Sequence, residues 1–156
     1  MMGFQITYGV CHEGIAIGRW NRMDFKYEMK TEKGFEAAVE DLKKELAEVK
    51  FGVLWELNFK DKLQEKGLDF NKNFKVFEVC NPPKAKEVMD QYLEAGYMLT
   101  CKMVVYEKED GVRIGMLKPT YLVEMLDKDG LDKVAEEVEQ ALKGAIDKAV
   151  KETAKV

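Results

Sequence analysis

The 156-residue chain contains no serine, one histidine, three cysteines and three prolines. Without serine there can be no Ser-His-Asp triad, and a single histidine cannot build a His₃ or HExxH zinc site within one chain. The sequence also lacks a CxxC pair, a GxxxxGK[ST] phosphate loop and a GxGxxG turn. Several common enzyme classes are therefore excluded. We expect binding rather than catalysis, and no motif indicates a particular cofactor.

Charge and hydropathy exclude further classes. The net charge is −4 and no run of Lys or Arg forms a basic stripe, so we expect no nucleic-acid partner. No apolar run approaches the roughly 18 residues of a membrane span, and the first ten residues lack the basic start of a signal peptide. We therefore expect a cytoplasmic protein without a membrane partner. The many Lys and Glu residues are typical of heat-adapted proteins.

Apolar periodicity predicts the main elements. Strict alternation predicts strands over residues 24–30 and 53–59, the second a core strand with Val53, Trp55 and Leu57 on one face. A mostly apolar stretch over 74–79 predicts a strand covered on both faces, and 101–107 with 112–116 predict a hairpin around Glu109-Asp110-Gly111. Apolar stripes predict helices, in chain order, over residues 35–49, 60–67, 82–96, 119–126 and 131–149.

This order of elements favours an α+β fold with a mostly antiparallel sheet, helices packed on one face and a long C-terminal helix. The interpretation requires Phe25, Trp55 and Leu142 to be buried in the assembled protein. Residues 23–156 are predicted to form one domain. Residues 1–22, in which Phe4, Ile6, Tyr8 and Val10 alternate with other residues, are predicted to form an added β-hairpin.

Five segments resemble the family called domain of unknown function 302, over roughly residues 24–150. They are Phe51–Leu57, Leu63–Phe70, Glu78–Pro82, Gly96–Glu107 and Ile114–Thr120. The resemblance implies a curved antiparallel sheet of the TATA-binding-protein-like kind, often paired as a homodimer, and it implies no known activity. The N-terminal residues 1–22 depart from the family pattern. An acidic chain argues against DNA binding, and a fold by itself does not carry function.

The segment Cys80-Asn81-Pro82-Pro83 is the strongest local candidate for a site. Asn81 is suited to cap a helix that begins at Pro82, and the amide groups of a helix start attract anions. The same field is expected to lower the pKa of the Cys80 thiol. Further candidates are Cys101 at the start of a strand and Lys118 and Thr120 at another helix start.

Three functions remain open at this point. The first is a homodimeric module that binds a small anionic or amphipathic ligand near Cys80, Asn81, Cys101, Lys118 and Thr120. The second is a thiol-dependent redox or metal-handling protein that uses Cys80 and Cys101. The third is a structural or interaction protein with residues 1–22 as its contact arm. Free cysteines usually pack as small apolar residues, and Cys11-His12 lacks the further ligands of a metal site, so no metal is predicted.

Overall fold

The computed structural model describes residues 25–152, and within this range it has five strands, five α-helices and one 3-10 helix. The strands are β1 Lys26–Thr31, β2 Gly52–Asn58, β3 Phe74–Cys80, β4 Cys101–Lys108 and β5 Gly111–Leu117. The α-helices are α1 Phe35–Glu48, α2 Phe59–Glu65, α3 Pro82–Gln91, α4 Pro119–Leu126 and α5 Asp132–Ala149, and the 3-10 helix is Leu93–Met98. The predicted hairpin over residues 1–22, with Cys11 and His12, lies outside the described residues.

The strands form one open sheet in the order β1-β5-β4-β3-β2, and every neighbouring pair is antiparallel. This confirms the predicted α+β class, while a relation to the TATA-binding protein stays a prediction. The predicted hairpin is confirmed as β4–β5. Its second strand begins at Gly111, whose φ of +131° suits glycine, and a Cβ there would come within 3.0 Å of the Thr31 carbonyl oxygen.

One face of the sheet, which we call the covered face, carries the core beneath α1 and α5. Alternate side chains of β3, β4 and β5 point into it, and the apolar stripes of the two helices close over them. Leu142 of α5 is fully buried, as expected. The fully buried side chains at its centre are those of Val39, Leu42, Leu46, Phe77, Val79, Met103, Val105, Ile114, Leu142 and Ile146.

The prediction that Val53, Trp55 and Leu57 share one buried face is wrong. The pairing of β2 with β3 shifts between Val53 and Trp55, so an extra residue, Leu54, reverses the alternation of the side chains. Val53 packs against the core, whereas Trp55 and Leu57 lie on the opposite face, which we call the open face. Trp55 is 50% exposed and Phe25 is 40% exposed in this single chain, so the burial of both in the assembled protein stays a prediction.

The helix predicted to run to Gly96 ends earlier. Tyr92 has an extended backbone (φ −144°, ψ 106°), which separates α3 from the 3-10 helix. The Tyr92 hydroxyl donates to the Asp129 carbonyl oxygen at 3.1 Å, and the Lys128 ammonium lies over its ring. The break therefore attaches α3 to the loop before α5.

No helix between residues 25 and 152 has the length and hydropathy to cross a membrane.

Candidate functional site

Asn81 caps α3 as predicted. Its side-chain oxygen accepts a hydrogen bond from the Lys84 backbone N–H at 3.2 Å, and Pro82 and Pro83 follow in the first helical turn. Both the cap and the prolines suit a helix start, since the first amides have no partner within the helix. The cap places Asn81 at the end of β3 where the sheet meets α3.

The two described cysteines lie at the same end of the sheet, on two neighbouring strands. Since β3 and β4 are antiparallel, Val79 pairs with Cys101, and Cys80 follows one residue later. Adjacent strand residues point to opposite faces, so the Cys80 side chain lies on the open face and Cys101 on the covered face. Both are free thiols.

Burial is the main influence on the pKa of both thiols, and it raises both values. It raises the pKa of Cys101 to about 12, with smaller contributions from Cys80 and Glu78, and it also raises the pKa of Cys80. The expected lowering of the Cys80 pKa by the helix start is therefore wrong, because apolar surroundings disfavour the thiolate. Reactive cysteines usually have a lowered pKa, and neither of these thiols has one.

The start of α4 already holds a carboxylate. The backbone N–H and the hydroxyl of Thr120 both donate to Glu139 of α5, at 3.1 and 2.5 Å. Glu139 is only 4% exposed, and the Lys143 ammonium pairs with it at 2.7 Å. Burial alone would raise the pKa of Glu139, but the hydrogen bonds from Lys143 and Thr120 outweigh it and hold the pKa below its ordinary value. The anion at this helix start thus comes from the protein itself.

A small apolar cavity lies between the sheet end and the helices α3, α4 and α5, roofed by the 3-10 helix. Its volume is about 70 Å³. Cys101 and Asn81 line it, whereas Cys80, Lys118 and Thr120 are not among its lining residues. The apolar lining includes Phe51, Val88, Ala95, Met98, Leu99, Leu117, Leu122, Val123, Leu126, Leu131, Val134 and Val138. The structure therefore brings together two of the five predicted residues.

Lys84 is a lining residue that the sequence analysis missed. Its ammonium pairs with the Glu137 carboxylate on α5 and lies 3.4 Å from Glu87 on its own helix. The hydrogen bond to Glu137, with a smaller one to Glu87, raises the pKa of Lys84. Together with Asn81 it gives the otherwise apolar cavity two polar groups. The position of Lys84 one turn into a helix with an Asn cap was visible in the sequence, but its partner Glu137 lies 53 residues away.

The open face carries a second concavity, which we call the open-face groove. It lies between the sheet and α2 and has a volume of about 490 Å³. Its lining is apolar except for one lysine and consists of Trp55, Leu57, Phe59, Leu63, Phe70, Phe74, Val76, Lys102 and Val104. Phe74 stacks on Tyr106 and meets Phe59 edge to face.

No group of three or more His, Cys, Asp or Glu side chains within residues 25–152 could hold a metal ion.

Comparison with known proteins agrees with this architecture. The family described as domain of unknown function DUF302 matches residues 27–149. The chain belongs to this family. The crystal structure of an uncharacterized conserved DUF302 protein from Bacillus stearothermophilus is similar, with 39% identity and a TM-score of 0.78, and the match covers 82% of this chain and 99% of that one. No curated protein matches the chain.

Proposed function

We propose that this DUF302 protein is a non-catalytic binding module whose cavity takes the apolar end of a small amphipathic ligand. The observation that carries the proposal is the lining of the cavity, which is apolar except for a few polar groups such as Asn81 and Lys84. Binding pockets combine such an apolar lining with a few placed polar groups. An anionic or hydrogen-bonding head group would meet the Lys84 ammonium or the Asn81 amide.

The size of the cavity limits the ligand. Engineered apolar cavities of about 150 Å³ accept benzene, so about 70 Å³ suits a shorter alkyl group. A larger ligand would require α3 to move outward. No residue of α3 is fully buried, so such a movement would break little core packing.

We also propose that the module works as a homodimer. Apolar side chains on the outer surface of α3 and the 3-10 helix support this: Tyr97 is 93% exposed, Leu93 79% and Met89 39%. Exposed apolar patches of this kind mark contact surfaces. Partners that cover this surface would also cover the roof of the cavity and restrict the ligand's exit.

The binding test uses butyrate and butanol as probes in NMR titrations of the full chain. Both share one short alkyl group and differ in the charge of the head, so they separate the role of Lys84 from that of the apolar lining. We expect both probes to shift the methyl resonances of Leu122, Val134 and Val138, and butyrate to bind more tightly. Ala85→Leu, which places a larger side chain at the cavity wall, should abolish the shifts.

Lys86→Leu is the matched control, since it adds the same side chain to the exposed side of α3 and should leave the shifts intact. If neither probe shifts these resonances in the unaltered protein, the binding proposal is wrong. Native mass spectrometry of the purified protein tests the dimer separately, because it reports the oligomer mass together with any retained ligand. A monomer mass at micromolar concentration would contradict the dimer.

A further inference from the structure

The cavity beneath α3 has one cation at its rim, and that cation already has two carboxylate partners. Lys84 is the only charged residue among the described residues that line the cavity, and its side chain is 34% exposed. Its ammonium pairs with Glu137 on the facing helix α5 and lies 3.4 Å from Glu87, one turn away on its own helix. Lys84 is therefore occupied before any ligand binds.

The first turn of α3 has no free backbone amide for an anion. Pro82 and Pro83 have no N–H group. The next two N–H groups, those of Lys84 and Ala85, both donate to Asn81, at 3.2 Å to its side-chain oxygen and at 2.9 Å to its carbonyl oxygen. The Lys84 ammonium is therefore the charged donor that an acidic head group in this cavity has to reach.

The partner on α5 can leave Lys84 with little loss of stability. Glu137 is 44% exposed, so water solvates its carboxylate when the ion pair opens. The pKa of Glu137 is lowered chiefly by Lys84, and Lys133, one turn earlier on α5, contributes as well. A cation thus remains near the carboxylate after Lys84 has left. Exposed ion pairs of this kind contribute little to the stability of a fold.

We propose that Glu137 competes with the ligand for Lys84, so that an alkyl carboxylate binds by taking the place of Glu137 on the ammonium. This inference rests on the proposed binding function of the cavity and adds the class of ligand and the group that the ligand displaces. The exchange breaks one ion pair between α3 and α5 and forms another with the ligand. It thereby releases the start of α3, none of whose residues is fully buried. An alkyl alcohol carries no charge and binds without displacing Glu137.

The test compares butyrate with butanol in NMR titrations of full-chain variants, read at the methyl resonances of Leu122 and Val134. Glu137→Gln keeps the size of the side chain and removes its charge. Butyrate should then bind about two- to fivefold more tightly, the gain expected when one exposed ion pair no longer competes, and butanol should bind as before. Glu136→Gln is the matched control, since it removes the same charge from the neighbouring exposed residue, which is not a partner of Lys84, and should change neither affinity.

A variant of Lys84 completes the comparison. Lys84→Met keeps the apolar part of the side chain and removes its charge, so butyrate should lose its advantage over butanol. In this background Glu137→Gln should no longer change the affinity for butyrate. If Glu137 merely held α3 in place, its substitution would have the same effect with and without the Lys84 ammonium.

The outcomes separate this inference from the proposed function. If butanol binds and Glu137→Gln leaves the affinity for butyrate unchanged, the competition is refuted and the cavity proposal stands. An equal gain for both probes would mean that the substitution loosens α3 instead of freeing Lys84, which also refutes the competition. If neither probe shifts the resonances in any variant, the proposed function and this inference fail together.

Discussion

The two faces of the sheet are built from the same strands, yet they are sealed to different degrees. On β4 the side chain of Val105 is fully buried on the covered face, whereas its neighbour Val104 is half-buried on the open face. On β3, Phe77 is fully buried on the covered face and Phe74 is half-buried on the open face. Among the elements between residues 25 and 152, two long amphipathic helices close the covered face, whereas the short α2 alone packs on the open face. The strands thus supply two apolar surfaces, and the helices decide which one becomes the core.

The largest expected effect compares two phenylalanines of β3. Phe77→Ala should lower the free energy of unfolding by about 3–5 kcal/mol, since it leaves a cavity in close-packed surroundings. Phe74→Ala should cost roughly half as much, because its ring keeps partial contact with water and loses mainly the aromatic contacts with Phe59 and Tyr106. Urea denaturation of both variants measures the difference. Equal costs would mean that the open face of the full chain is packed as tightly as the covered face.

A second, smaller effect concerns the buried carboxylate beside the cavity. Glu139→Ala should destabilise the protein by about 2–3 kcal/mol, because it leaves the Thr120 amide and the Lys143 ammonium without their charged partner. The folded-state pKa of Glu139 is lowered, so its contribution is present above the ordinary value of 4.5 and is lost as the pH falls below it.

The pH dependence of that substitution supplies its check. Thermal melts of the unaltered protein and of Glu139→Ala should differ most at neutral pH and converge in acid. Glu137→Ala, two residues away on the same helix, removes only an exposed ion pair with Lys84 and should change the melting temperature little. A gap that is constant across the acid range would show that the Glu139 charge does not stabilise the fold.

The smallest expected effect is the loss of one tyrosine hydroxyl on each face of the sheet, and we expect the cost in stability to be the same on both faces. Tyr27 donates to Asp147 at 2.5 Å beside α5, and Tyr106 donates to Glu28 at 2.7 Å on the open face. Tyr27→Phe and Tyr106→Phe should each cost about 1.5 kcal/mol, the lower value for a hydrogen bond to a charged group. A much larger loss for Tyr106→Phe would indicate that the open face is the more tightly sealed of the two.

The same pair predicts an alkaline dependence. The pKa of Tyr27 is raised to about 12 chiefly by its hydrogen bond to Asp147, and that of Tyr106 to about 12 chiefly by burial, with the bond to Glu28 second. A raised pKa gives stability that is present below the ordinary value of 10 and lost as the pH rises towards 12. Urea titrations should therefore show each Phe variant approaching the unaltered protein above pH 10.

Local pattern was enough to predict most of the elements. The Asn81 cap, the two prolines behind it and the turn at Gly111 are short-range signals, and the structure has a helix start and a hairpin at these positions. The pattern failed at Leu54, because a single extra residue in a strand leaves the local composition unchanged while it moves Trp55 and Leu57 to the other face. It also failed at Tyr92, whose extended backbone is accompanied by contacts with Lys128 and Asp129, more than 35 residues further along the chain.

The candidate site was less accessible to sequence reasoning. The sequence pointed to Asn81 and Cys101, and both line one cavity, but it did not point to Lys84. It also gave no sign that Thr120 binds Glu139, a residue 19 positions further along the chain. The prediction of a lowered pKa for Cys80 was wrong because burial raises it, and the burial of a strand end depends on which residues pack over it. These features all involve residues that are remote in the chain.

The sequence by itself determined the order of strands and helices, the antiparallel α+β class and the family, because each depends on periodicity and on motifs within a few residues. Only the tertiary structure decided which sheet face became the core, which carboxylate fills the start of α4 and where an apolar cavity remains. These outcomes depend on side chains that meet across long stretches of chain, and their contact energies are not encoded in any local pattern.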